Sequence, residues 1–185
     1  MNVKFDANWF RAMARNYGIA QKKINDAFRL GGQEAGWWWV NNCLPRHFTF
    51  AAYQLYGYAR RSFRWNQKKL NAKRAYSVNT GASYPAEQPP VPMVWTGELR
   101  RHVLGRTNSY QVKATAKFAT GDRKQIVRVV VPVGIPHPIN PKNAGELTRI
   151  APSEFRQMKS IVFQRARKLL VAAMHQVVKP GRKAA

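Results

Sequence analysis

From Tyr110 to Phe118 the chain alternates without a break, Tyr110, Val112, Ala114, Ala116 and Phe118 against Gln111, Lys113, Thr115 and Lys117. Successive side chains of a strand point to opposite sides, so a two-residue repeat of this kind describes a strand with one buried and one wet face. Ala119 to Arg123, with Gly121 and Asp122, has turn chemistry. Over 125–133 the strand signal resumes as a β-branched run, with Val127, Val129, Val131 and Val133 on one face. The two runs predict an antiparallel hairpin over 110–133 whose apolar face needs a cover.

The C-terminal region supplies that cover. Pro152 suits a first helical position and Glu154 the positive end of a helix dipole. Behind them Phe155, Met158, Val162, Ala166, Leu169 and Ala173 form an apolar stripe, with Arg156, Lys159, Arg165, Arg167 and Lys168 opposite. Near the other end, Phe10, Met13, Tyr17, Ile24, Ala27 and Phe28 recur at mostly helical spacing between Asn8 and Leu30, with Gly18 as a weak point. Gly31 and Gly32 are read as an interruption, after which a helix resumes from Gln33 to Cys43 and Pro45 ends it. Thr49 to about Arg64 is helix-compatible, with Phe50, Tyr53, Tyr56 and Phe63 interleaved with arginines.

Two stretches read differently. Residues 134–145 hold Pro136, Pro138 and Pro141 and are expected to run as a surface loop. Residues 77–92, with Pro85, Pro89, Pro90 and Pro92, are expected to form an extended loop or arm. The chain has 185 residues, 45% of them hydrophobic, enough for one principal core. The expected fold is α+β: a small antiparallel sheet containing the 110–133 hairpin, packed against N-terminal helices and a long C-terminal helix. It should form a single domain over 1–176, with 177–185 as a flexible basic tail.

Charge constrains the partners. Against 32 Lys and Arg stand 8 Asp and Glu, a formal net charge of +24 that internal ion pairs cannot neutralise. Self-repulsion of that size works against compactness, and a polyanion or an acidic neighbouring subunit turns it into attraction. The most basic stretch lies between Glu34 and Glu87, where Arg60, Arg61, Arg64, Lys68, Lys69, Lys73 and Arg74 accumulate. These seven are candidate contacts to DNA or an acidic partner, against the plainer reading of a solvated face. Contacts of this type hold phosphates without reading bases.

Catalytic chemistry is not expected. The few acids are scattered, His102, His137 and His175 are isolated, and neither a phosphate loop nor a nucleophile elbow is present. Cys43 and His47 are four residues apart, but Pro45 lies between them and zinc needs further ligands, so a structural reading is preferred and no cofactor or metal is expected. A lone cysteine suits a reducing compartment. No stretch approaches a membrane span, and Met1 to Asp6 does not resemble a leader.

Trp37, Trp38 and Trp39 would point about 100° apart on a helix, so one packing face cannot take all three. They can stack on bases, enter a subunit interface or fill a core; an interface is the preferred reading, because large aromatics anchor interfaces and no base-binding module surrounds them.

Three segments, in order, resemble a group of small tailed-phage proteins concerned with tail completion, the head–tail neck and virion morphogenesis. The first is Leu44-Pro45-Arg46-His47-Phe48-Thr49 with Tyr56-Gly57-Tyr58 and Arg60-Arg61-Ser62. The second is Pro92-Met93-Val94-Trp95-Thr96-Gly97-Glu98-Leu99-Arg100. The third is Gly145-Glu146-Leu147-Thr148 followed by Pro152-Ser153-Glu154 and a terminal amphipathic helix. The resemblance implies a non-enzymatic α+β protomer in a homo-oligomeric ring where the head connector joins the tail, in a virion assembled in the host cytoplasm. It implies neighbouring head-connector and tail proteins as partners, and nonspecific contact with packaged DNA. Trp37, Trp38, Trp39, Trp95, Thr96 and Gly97 are then candidate subunit-interface residues, Thr96 and Gly97 having turn chemistry of their own. The alternative from another class is a monomeric or dimeric nonspecific nucleic-acid-binding protein.

Overall fold

The expected hairpin is present as β4 (Lys113–Phe118) and β5 (Lys124–Val130), paired antiparallel with Ala114 opposite Val129 and Ala116 opposite Val127. Val112, Ala114, Val127 and Val129 are buried, whereas Gln111, Lys113, Thr115, Arg128 and Val130 are exposed, as the alternation requires. The computed structural model describes residues 2–6, 8, 12, 15–16, 18–58, 74–76, 83–85, 98–105, 111–118, 124–131 and 145–178. Chain contacts divide the protein into two compact units. The first comprises Met1–Trp38, Gln111–Val131 and Phe155–Ala185, the second Trp39–Tyr110 and Pro132–Glu154.

In the first unit a third strand, β1 (Asn2–Asp6), lies on the free edge of β5, giving the order β1-β5-β4 with Val3 opposite Val127. Val3 and Phe5 alternate with Asn2, Lys4 and Asp6, a strand signal masked in the sequence by its shortness and its charge. The apolar face of the sheet is covered by α1 (Gln21–Asn42).

The interruption expected at Gly31 and Gly32 does not occur: α1 runs through both glycines and through Gly36. Each costs the helix up to about 1 kcal/mol relative to alanine, and close packing offsets that cost. A Cβ on Gly31 would stand 2.7 Å from the backbone oxygen of Val162, and one on Gly32 2.9 Å from the Ala114 Cβ. One on Gly36 would overlap Val112. Small residues here let the sheet and the C-terminal helix approach the axis of α1. Gly18, by contrast, lies outside the helix with φ +60°.

That C-terminal helix, named α4 below, spans Pro152–Val178. Its buried stripe is Met158, Val162, Ala166 and Leu170, at steps of four; the expected Phe155, Leu169 and Ala173 are only half-buried. Arg165 turns to Glu34 of α1 at 3.2 Å. The fold class is therefore α+β, an antiparallel sheet packed with a long N-terminal and a long C-terminal helix.

In the second unit the last turn of α1 leads through Cys43 into a 3₁₀ helix, Leu44–Phe48. Pro45 sits in its first turn, where a missing N–H has no acceptor to disappoint. Of the helix expected from Thr49 to about Arg64, the described part, 49–58, holds a single turn, α2 (Ala52–Leu55), and 59–64 lie outside the described residues. Tyr56 and Tyr58 are both buried, a spacing of two that one helix face cannot supply, and Gly57 between them takes φ +57°, open to glycine at little cost. Further on, β2 (Arg74–Tyr76) pairs antiparallel with β3 (Ser83–Pro85), so the 77–92 segment contains a short strand. The helix α3 (Glu98–Gly105) packs on the 3₁₀ turn and buries Val103.

Candidate functional site

The densest polar chemistry among the described residues lies in the second unit, around two side chains that are charged or polar and yet withdrawn from water: His47, fully buried, and Glu154, 3% exposed. Glu154 is the third residue of α4. Its Oε2 accepts from the backbone N–H of Ala151 at 3.2 Å, half of a capping box, and the carboxylate stands at the positive end of the helix dipole. Two distant side chains complete its shell. The Tyr56 hydroxyl donates to Oε1 at 2.6 Å, and the Trp39 indole N–H donates to Oε2 at 3.3 Å. The Tyr56 hydroxyl also lies 3.3 Å from the Cys43 carbonyl oxygen.

His47 is held by rings. It stacks on Tyr56 with centroids 3.7 Å apart and planes 12° apart, and meets Trp39 edge-on at 5.7 Å. Its Nδ1 is hydrogen-bonded to the Tyr58 hydroxyl, and its Nε2 has no hydrogen-bond partner. Burial pushes the imidazole down to about 4 from the ordinary 6.5, with the backbone of Glu146 acting the other way. At neutral pH the ring is uncharged. Burial, followed by the Glu154 charge, pushes the Cys43 thiol up to about 12, Arg46 opposing. The Tyr56 hydroxyl is raised by burial and by Glu154 as well. Thiol and phenol therefore keep their protons, which makes the phenol a dependable donor and the thiol a poor nucleophile.

Arg149 closes the segment from outside. Its guanidinium donates through Nη1 to the carbonyl oxygens of Tyr56, at 3.1 Å, and of Gly57. Thr49 caps the 3₁₀ turn, its Oγ1 donating to the Arg46 carbonyl at 2.8 Å. Chemically the arrangement fastens segment 43–58 to segment 146–154. Cys43, His47 and Tyr56 are buried within it.

The residues singled out in the sequence fall elsewhere. Arg60, Arg61, Arg64, Lys68, Lys69 and Lys73 lie outside the described residues, as do Trp95, Thr96 and Gly97. Arg74 opens β2, opposite Pro85. The tryptophan triplet divides: Trp39 is buried in the cluster, and Trp37 and Trp38 are half-buried. The reading of Trp39 as an interface residue is thus replaced by a core role, because its indole N–H is committed to Glu154. Tyr56, Tyr58 and Arg149 were not recognised as members of one cluster. The available signal was the place of Tyr56 and Tyr58 in the first resembling segment and of Glu154 in the third, which the fold brings together; Arg149 lies just beyond Thr148 of the third. Among the described residues no group of three or more His, Cys, Asp or Glu side chains is placed to hold a metal, and no helix is long and apolar enough to cross a membrane.

No protein-family model, curated protein or solved structure matches the chain.

Proposed function

We propose that the protein is a structural component of a tailed-phage neck, forming a ring that joins or seals the head connector and the tail. The observation that carries the reading is the order of the three resembling segments, taken with the meeting of the first and third. His47, Tyr56 and Tyr58 come from the first and Glu154 from the third, and they share one hydrogen-bonded cluster. A resemblance carried by residues with a common physical task is stronger than one carried by scattered letters. In this reading the fastened segments make a rigid protomer, and the half-buried Trp37 and Trp38 and the 77–92 arm serve neighbouring subunits. The 60–74 cations serve DNA or an acidic partner.

Native mass spectrometry of the full chain, alone and mixed with connector and tail proteins, tests the proposal. The expected result is a ring of uniform stoichiometry that forms or closes in the presence of a partner. A monomer or dimer that persists in every mixture while binding nucleic acid tightly would sink the ring and favour the nonspecific nucleic-acid-binding alternative.

A further inference from the structure

Over its described residues the sheet of the first unit has one covered and one open face. Val112, Ala114, Val127 and Val129 lie against α1, close to Gly32 and Gly36, and are buried. The residues between them, Lys113, Thr115, Arg128 and Val130, are exposed. Strand register fixes which positions share that open side. Thr115 stands opposite Arg128, which on its other flank stands opposite Asn2, and Lys113 stands opposite Val130. Lys113 and Arg128 are therefore diagonal neighbours, about 7–8 Å apart. One same-side step along, about 7 Å, Ile126 is paired with Lys4 of β1 on one flank and Lys117 of β4 on the other. Four cations, Lys4, Lys113, Lys117 and Arg128, thus hold positions of one parity around Thr115 and Ile126.

A merely wet sheet face gains nothing from such a grouping. Opposite charges on neighbouring strands stabilise a sheet and like charges oppose it, yet β4 and β5 contain no Asp or Glu. The acid of β1, Asp6, stands opposite Lys124, at the end of the sheet away from Lys113. A bound polyanion turns the repulsion into attraction. Lysine, arginine and threonine all donate to phosphate oxygens, and Val130, 43% exposed beside Lys113, offers an apolar contact to a sugar. No residue of that parity in the three strands is aromatic, so the bases of a single strand would find no ring to stack on. Lys113 to Lys117 spans about 13 Å, over which one strand of a duplex presents about four phosphates. The cations match that number.

We infer that the open face of the β1-β5-β4 sheet, centred on Lys113, Thr115 and Arg128 with Lys4 and Lys117 beside them, binds the phosphate backbone of a nucleic-acid duplex without base readout. This surface is separate from the 60–74 run and does not require the ring: a monomer would use it equally. The test measures binding of the full chain to two fluorescently labelled duplexes of unrelated sequence, from about 50 to about 200 mM salt. The wild type is compared with the sheet variant K4T/K113T/K117T/R128T and with K22Q/K23Q/R156Q/R167Q, which removes the same charge from exposed helix positions. Threonine suits strands and glutamine helices, and circular dichroism reports the fold of each. Both duplexes should bind alike, and the sheet variant should lose about 3 to 4 in the slope of log affinity against log salt. Across the salt range the wild type should then weaken on the order of 100-fold more than the sheet variant, and the helix variant should stay close to the wild type. A folded sheet variant with the wild-type slope, a helix variant that loses as much, or a wild type that binds neither duplex would overturn the inference. Should the sheet variant not fold, acetylation of wild-type lysines read by mass spectrometry decides: the duplex should shield Lys113 and Lys117 more than Lys22 and Lys23, and equal labelling overturns the site. Poly-glutamate is the competing ligand: if it binds more tightly than either duplex and loses that affinity in the sheet variant, the face serves an acidic protein and the inference fails.

Discussion

The His47 imidazole offers the sharpest test of the cluster, because its environment fixes both the direction and the size of a pH effect. It is fully buried, stacked on Tyr56 and bonded through Nδ1 to Tyr58, and its proton affinity is lowered from 6.5 to about 4. In the unfolded chain the ring takes a proton as pH falls through about 6.5; in the folded chain it resists until about 4. Between those values the unfolded state binds more protons, so folding stability must fall as pH falls, by at most about 1.4 kcal/mol per unit. Integrated, the loss reaches about 2 kcal/mol at pH 5 and about 3 kcal/mol at pH 4, and it is complete below that. The groups against the ring are Trp39, Tyr56, Tyr58 and the backbone of Glu146. The window from pH 7 to pH 5 covers most of the change, and comparison with a variant lacking the imidazole isolates His47 from every other group that titrates there. His47→Phe keeps an aromatic ring and removes the titration. Urea unfolding followed by tryptophan fluorescence at pH 7, 6 and 5 should show the wild type losing about 2 kcal/mol relative to His47→Phe, whatever the offset between them at pH 7. A difference that stays flat with pH, or a His47 proton resonance that titrates near 6.5 in the folded protein, would refute the buried neutral ring.

Three further outcomes follow from the same contacts. Tyr56→Phe keeps the stack on His47 but removes the 2.6 Å donor to a buried carboxylate, so urea unfolding at pH 7 should show a loss of about 1.5–3 kcal/mol. Gly31→Ala should destabilise by about 1–3 kcal/mol in the same assay, against the gain of up to about 1 kcal/mol that alanine brings to an open helix position. The new Cβ would meet the Val162 backbone at 2.7 Å, and backbone cannot rotate away. Cys43, buried and with its thiol held up to about 12, should react with Ellman's reagent at pH 8 only at the rate of local or global unfolding, and immediately in 6 M guanidinium.

What could be read in the sequence was whatever depends on neighbours in the chain. The hairpin was legible because Val112 and Ala114 alternate with Gln111, Lys113 and Thr115 and because a β-branched run follows with Val127 and Val129 on one face, and the N-terminus of α4 because Pro152 and Glu154 sit at the first and third positions that helix ends favour. Gly31 and Gly32 were misread for a physical reason: a glycine that breaks a helix and one that admits a close neighbour are identical until the neighbour, here Val162 or Ala114, is known. The cluster was invisible in the same way. Glu154 announced its local cap, but its other donors lie 98 and 115 residues away in Tyr56 and Trp39. Tyr56 and Tyr58 looked like part of a helix because Gly57 can join a helix or leave it, and only the buried pair decides which.

The distribution of carboxylates bears on what the surface is for. The chain has only 8 acids against 32 Lys and Arg, and Glu146 and Glu154 are each 3% exposed. Withdrawing an ionised carboxylate from water costs several kcal/mol unless hydrogen bonds replace the lost hydration; Glu154 has three donors to do so. Asp26 and Glu34, nearer the surface, are occupied by Arg29 and Arg165. Among the described residues two acids, Glu146 and Glu154, are therefore withdrawn from the surface. Any polyanion that binds only the folded form of so basic a chain adds to its stability by mass action. The resembling segments and the excess charge thus inform different questions. His47, Tyr56 and Glu154 fasten segment 43–58 to segment 146–154, while the excess of Lys and Arg sets the sign of the charge that the chain attracts.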